Sequence, residues 1–178
     1  MKDENSENKQ LYMCFSQLLD YPTTDLTIQT QACIDLLKVN YTEAAEQMTK
    51  FLKFVESGQL GYLEEVYTGT FDVNPACHIF AGHLLFGESF KRGAFMAGLE
   101  QEYKDHGFDT KIELSDHVPV LFRFVSSNDS DFSNELLKDC LIPVFDKMNA
   151  NFKDDSLNPY MPVLRSVSLV LNNIFKGS

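Results

Sequence analysis

Apolar positions recur every three or four residues along nearly the whole chain, the spacing that lines side chains up on one face of an α-helix. Leu11, Phe15, Leu18 and Leu19 form the first such stripe, and Tyr21-Pro22 ends it because a proline cannot continue a helix. Thr24 or Asp25 is placed to cap a second helix carrying Leu26, Ile28, Cys33, Leu36 and Leu37. Thr42 is placed to cap a third, with Ala45, Met48, Phe51, Leu52 and Val55, which Ser57-Gly58 closes. Leu60, Leu63, Val66 and Tyr67 carry the pattern on towards Phe71. Asn74-Pro75 predicts the next helix start, with Ile79, Phe80 and Leu84 facing inward. Gly87-Glu88-Ser89 predicts a helix through Phe95, Met96, Leu99 and Tyr103 that ends at Gly107, and another follows Asp116. From Asp131 to Lys153 the stripe is Leu136, Leu137, Leu141, Val144, Phe145 and Met148, and Pro143 inside it should kink or split the helix. Asn158-Pro159 starts a last helix through Ile174.

Strand signals are poor. No Asn-Gly or Asp-Gly turn joins alternating runs, and the short alternation Lys111-Ile112-Glu113-Leu114 reads as an extended loop. With no repeat and no linker, the expectation is one all-α bundle over residues 10–178, preceded by a disordered polar tail at residues 1–9. The 178 residues suffice for one substantial core, in which 15 Phe supply most of the aromatic packing.

A net charge of -11 argues against non-specific binding to nucleic acid or to anionic lipid, since both would repel this chain. It favours a basic partner, or serves solubility alone. Cys14, Cys33, Cys77 and Cys140 are scattered, form no C-x-x-C pair, and suit a reducing cytoplasm. The polar N-terminus lacks the apolar stretch of a signal peptide, and no apolar run approaches the roughly 20 residues of a membrane span. A cytoplasmic protein without stable membrane association is expected.

The richest chemistry lies in the run from Leu114 to Phe124, where Asp116 and His117 stand beside Pro119. The plainer reading is a helix start, capped by Ser115 or Asp116, with the proline in its first turn. The chemical readings are an acid/base pair, or groups that bond a guest backbone or a guest Arg or Lys. No nucleophile or second catalytic carboxylate accompanies the pair, so no catalytic residue is assigned. Gly87-Glu88-Ser89-Phe90-Lys91 lacks the closing glycine of a nucleophile elbow, and Gly87 to Gly93 lacks the Lys-Ser/Thr of a phosphate loop. Cys77, His78 and His83 are near one another in sequence, but on one helix the two histidines would point to different faces, so neither a metal site nor a cofactor is expected.

Tyr67, Phe71 and Asp72 form an aromatic-x-x-x-Phe-Asp pattern. Gly87, Glu88, Arg92 and Gly93 form a Gly-acid-x-x-x-Arg-Gly turn, and Tyr103, Gly107 and Phe108 an aromatic followed by Gly-Phe. Leu114, Asp116, Pro119, Phe122 and Phe124 form the segment after it, and Leu18-Leu19-Asp20-Tyr21-Pro22 ends the first helix. In this order, on a helical scaffold of this length, these segments resemble the redox-enzyme maturation chaperones of the NarJ/TorD type, and most closely the nitrate-reductase delta-subunit branch. The likeness spans residues 11–126. Ser115 replaces a usual proline, Arg123 a frequent Glu, and His117 supplies the Asp-His pair more typical of the TorD/DmsD branch.

The resemblance implies a TorD-like helical bundle acting as a cytoplasmic chaperone rather than an enzyme. Its partner would be the catalytic subunit of a molybdenum oxidoreductase, of nitrate-reductase type, whose basic N-terminal leader it binds while the molybdenum cofactor is inserted. The alternative client is a DMSO/TMAO-reductase-like enzyme with a twin-arginine leader. The implied peptide-binding residues are Tyr67, Phe71, Asp72, Phe80, Arg92, Asp116, His117, Pro119 and Phe122. The implied state is a monomer or a helix-swapped dimer. A small helical enzyme using Asp116 and His117 is the competing class, and a helical regulatory module a third.

Overall fold

The computed structural model describes residues 2–74, 77–152 and 157–176, and among them the regular structure is helical. Helices α1 (Lys2–Leu19), α2 (Leu26–Asn40), α3 (Thr42–Ser57) and α4 (Leu60–Phe71) follow one another through short turns. A short helix α5 (Ala81–Phe86) and a longer α6 (Phe90–Asp105) lead to α7 (Val118–Ser127). Then α8 (Asp131–Glu135) runs through a π-helical turn (Leu136–Leu141) into α9 (Ile142–Ala150), and α10 (Met161–Lys176) closes the bundle. No helix among the described residues is long and apolar enough to cross a membrane.

The all-α expectation agrees with this architecture, and four local expectations change. Residues 2–9 belong to α1 instead of forming a tail. Polar contacts hold this stretch: Tyr41 Oη donates to Asn8 Oδ1 at 3.0 Å, Asn40 Nδ2 to Glu7 Oε2 at 2.9 Å, and Lys9 pairs with Asp129 at 3.3 Å. The expected caps also shift. Asp25 stands at the start of α2 without a side-chain bond to it, and Thr42 is already the first residue of α3.

The break expected at Pro143 occurs ahead of it. Pro143 has no N–H to offer and its ring crowds the preceding turn, and before it the ladder widens until the Ile142 N–H reaches the Leu137 carbonyl five residues back. The helix expected after Asn74-Pro75 starts later, at Ala81; Pro75 itself lies outside the described residues. Immediately before Ala81, Phe80 has extended backbone and forms an antiparallel bridge with His117.

Helix α7 is the centre of the core. Val118, Pro119, Val120, Leu121, Phe122, Phe124 and Val125 are all buried, and α1 packs along this helix. Ser16 Oγ on α1 donates to the Pro119 carbonyl at 2.7 Å, fixing the register of the two helices. The Phe122 ring has no exposure and sits among Tyr12 and Phe15 of α1 and Phe145 of α9. Beyond α1, α2 packs on α3, α3 on α10 and α10 on α9. A second aromatic cluster joins Phe51, Tyr67, Phe71 and Tyr160, with Phe71 and Tyr160 centroids 4.9 Å apart.

Truncating Phe122 to Ala would remove the ring on which three helices converge. A loss of about 3–5 kcal/mol is expected, read as a lowered urea midpoint with unchanged slope.

Candidate functional site

Four chain segments that are remote in sequence end at one place. Tyr67 Oη donates to the Leu19 carbonyl at 2.9 Å, so α4 satisfies an acceptor at the C-terminus of α1 that the helix itself leaves open. The same contact brings Tyr21 against Tyr67, with centroids 5.4 Å apart. The segment ahead of α5 then pairs with the one ahead of α7: Ala81 N–H donates to the Asp116 carbonyl at 2.8 Å and Val118 N–H to the Ile79 carbonyl at 2.9 Å. This bridge puts the Phe80 ring 5.2 Å from the His117 ring.

Asp116 lies beneath that surface. Its side chain has no exposure, and Arg92 of α6 pairs with it, Nε to Oδ2 at 2.9 Å and Nη2 to Oδ1 at 3.4 Å. The guanidinium also lies over the Phe80 ring, 5.6 Å from its centroid. The carboxylate therefore turns away from the first turn of α7, whose N-cap is His117, and caps nothing with its side chain. Ser115 does not cap α7 either: its hydroxyl donates to the Met96 carbonyl at 3.1 Å, and its own carbonyl accepts from Tyr103 Oη at 2.9 Å.

Sequence reasoning missed Gly82. A Cβ at this position would stand 2.7 Å from Asp116 Oδ2 and 3.0 Å from Arg92 Cγ, so only a residue without a side chain lets α5 pass this close to the ion pair. A glycine in the first turn of a short apolar helix was the available signal.

His117 is almost wholly buried, and burial pushes its imidazole below its ordinary range, against the opposing pull of Glu113, Asp20 and Asp116. Its Nδ1 has no hydrogen-bond partner among the described residues; the Glu113 carboxylate stands 3.7 Å away. His78 is likewise pushed down, by burial and then by His83. Contrary to the expectation for one continuous helix, His78 and His83 lie side by side, with ring centroids 4.5 Å apart, because His78 precedes α5 and stands outside the helix. Among the described residues no three His, Cys, Asp or Glu side chains are grouped to hold a metal.

The nine sequence-assigned residues thus fall into two sets. Tyr67, Phe71, Pro119 and Phe122 are buried in the core, and Asp116 joins them below the surface, paired with Arg92, instead of standing at an open rim. Phe80 and Arg92 are partly exposed, Asp72 is exposed, and His117 shows only an edge. Burial raises the Tyr67 hydroxyl far above its usual range, and Asp20, Tyr160, Asp72 and Glu113 add to that rise. Val73, Ile112 and Leu114, chain neighbours of two of these acids, are exposed, as is half of Tyr21. Asp72 and Glu113 are thus exposed acids flanked in sequence by exposed apolar side chains.

A sequence profile of the nitrate reductase delta subunit matches residues 35–165. The chain belongs to the nitrate reductase delta subunit family. It is 24% identical over 173 residues to the probable nitrate reductase molybdenum cofactor assembly chaperone NarJ of Bacillus subtilis (strain 168), covering 96% of this chain and 93% of that one. Its fold is similar to the crystal structure of a protein from Archaeoglobus fulgidus given as a redox enzyme maturation protein, with TM-score 0.63 and 19% identity over 92% of this chain and 93% of the other. Arg92 and Asp116, the pair that joins α6 to α7 in this family member, both lie inside the profile-matched segment.

Two predictions follow from the geometry around Asp116. Arg92→Met leaves a buried carboxylate without its counterion and should cost about 3–5 kcal/mol in denaturant unfolding. As for pH, a histidine pushed down in the folded state binds fewer protons there than when unfolded, so stability is fully present above about pH 6.5 and declines as pH falls through that value. His117→Gln should flatten this decline in melts between about pH 8 and pH 5.

Proposed function

We propose that this protein is a chaperone, not an enzyme, for the catalytic subunit of a molybdenum-containing nitrate reductase. It binds the basic N-terminal segment of that subunit where α1, α4 and the segment 113–117 meet, and keeps the client open for molybdenum-cofactor insertion. The observation that supports this reading is the Glu113 carboxylate 3.7 Å from His117, whose ring packs on the part-exposed Phe80, next to the exposed side chains of Ile112 and Leu114. A basic, partly apolar leader is complementary to it in both respects. Long-range attraction by a chain of charge -11 speeds encounter, and buried apolar contacts prolong the complex.

The same geometry disfavours acid/base catalysis by Asp116 and His117. The Asp116 carboxylate is buried and bonded to Arg92, and His117 faces Phe80 and Glu113 instead. Asp116 and Arg92 act from below, fixing the backbone that presents Phe80 and His117.

Calorimetry with a synthetic N-terminal peptide of the host's nitrate reductase catalytic subunit tests the reading. Binding is expected to weaken on going from low salt to about 0.5 M salt, and to weaken in Asp72→Lys and Phe80→Ala with melting temperature preserved. A twin-arginine leader of a DMSO/TMAO-reductase-like enzyme should bind less tightly. Tighter binding of that leader would reassign the client, and no binding of either peptide would refute the proposal.

A further inference from the structure

Helices α1 and α2 follow one another through a short turn and pack together as an antiparallel hairpin, and each carries a buried cysteine, Cys14 and Cys33. A polar contact near the open end of the hairpin fixes its register: Asn40 Nδ2 of α2 donates to Glu7 Oε2 of α1 at 2.9 Å. Cys14 follows Glu7 by seven residues and Cys33 precedes Asn40 by seven, close to two full turns on each helix. In an antiparallel pair these two steps run the same way. Cys14 and Cys33 therefore lie on the same facing sides of the two helices as Glu7 and Asn40, and their thiols meet there in a side-chain hydrogen bond.

The pair is chemically asymmetric. Cys14 is 8% exposed and Cys33 not at all, so a small solute reaches the Cys14 sulfur first. The hydrogen bond from Cys33 pulls the Cys14 thiol below its ordinary range, against the opposing effect of burial, while the same bond and burial push Cys33 well up. Cys14 is thus the nucleophile of the two, because the thiolate is the reacting form. Cys77 and Cys140 differ. Burial pushes Cys77 up to about 11 and Cys140 up to about 12, with Asp116 adding to the rise at Cys140, so both stay thiols at neutral pH.

We infer that Cys14 and Cys33 form a redox-modification site, at which hydrogen peroxide closes a disulfide that locks α1 to α2. The Cys14 thiolate attacks one peroxide oxygen and the O–O bond breaks. Cys14 becomes a sulfenic acid, and the departing hydroxide takes up a proton to give water. The Cys33 sulfur then attacks the Cys14 sulfur, the S–O bond breaks, and the hydroxide leaves with the Cys33 proton as a second water. Across both steps the two thiols lose two electrons and two protons, and the peroxide is reduced to water. The consequence is mechanical. The buried helix α7 packs along α1, so tying α1 to α2 keeps the core covered in the presence of oxidant, and the cross-link also restricts the unfolded chain. This inference does not depend on the client reading.

The test treats the full-length reduced protein with hydrogen peroxide and maps its cysteines by mass spectrometry. The parent should lose about 2 Da, the mass of two hydrogens, and yield one linked peptide pair joining Cys14 to Cys33 that dithiothreitol separates. Its melting temperature should rise by about 5 °C or more over the reduced form. Cys33→Ser should stop at a sulfenic acid on Cys14, trapped by dimedone, and Cys14→Ser should leave Cys33 a thiol. Oxidation of Cys77 or Cys140 ahead of the pair would overturn the inference, as would four remaining thiols after a treatment that fully oxidises dithiothreitol. An oxidised form that melts no higher than the reduced one would remove the lock. The mapping and the melts need only the parent protein, so they decide the matter even where a serine variant fails to fold.

Discussion

Burying a carboxylate with no exposure is costly unless a counterion and hydrogen bonds replace the water it gives up, and Asp116 obtains both from Arg92. That requirement organises the middle of the molecule. Arg92 must be presented from α6, α5 must pass at Gly82 without a side chain, and the backbone must be extended at Phe80 beside an extended His117. The pairing is a geometric specification more than a source of net stability, because a well-packed apolar replacement can match a buried ion pair in energy. It fixes where the ends of four segments lie.

From this follows a division of labour among the residues at the site. Tyr67, Phe71, Pro119 and Phe122 are core residues whose rings and backbone carbonyls hold α1, α4, α7 and α9 in register. The side chains left at the surface are fewer and chemically simple, acids interleaved with exposed apolar groups. Under the proposed function, these side chains would meet a basic, amphipathic guest and demand little of its sequence beyond that pattern.

Helical periodicity alone specified an all-α bundle, because an apolar stripe at three- and four-residue spacing can be buried in few other ways, and the stops at Tyr21-Pro22, Ser57-Gly58 and Gly107 are set by local backbone chemistry. Asp116 and Arg92 were likewise singled out by their motifs. Their roles were not. Whether Asp116 caps a helix, greets a guest or pairs with an arginine 24 residues earlier depends on which elements meet, and that is set by tertiary packing. The same holds for the start of α1, where Asn5, Glu7, Asn8 and Lys9 find partners on α2, on Tyr41 and at Asp129. It holds also for His78, drawn off the predicted helix by an antiparallel bridge to a segment far along the chain. Periodicity records which residues want to be buried; only the folded chain decides which polar groups they bury with them.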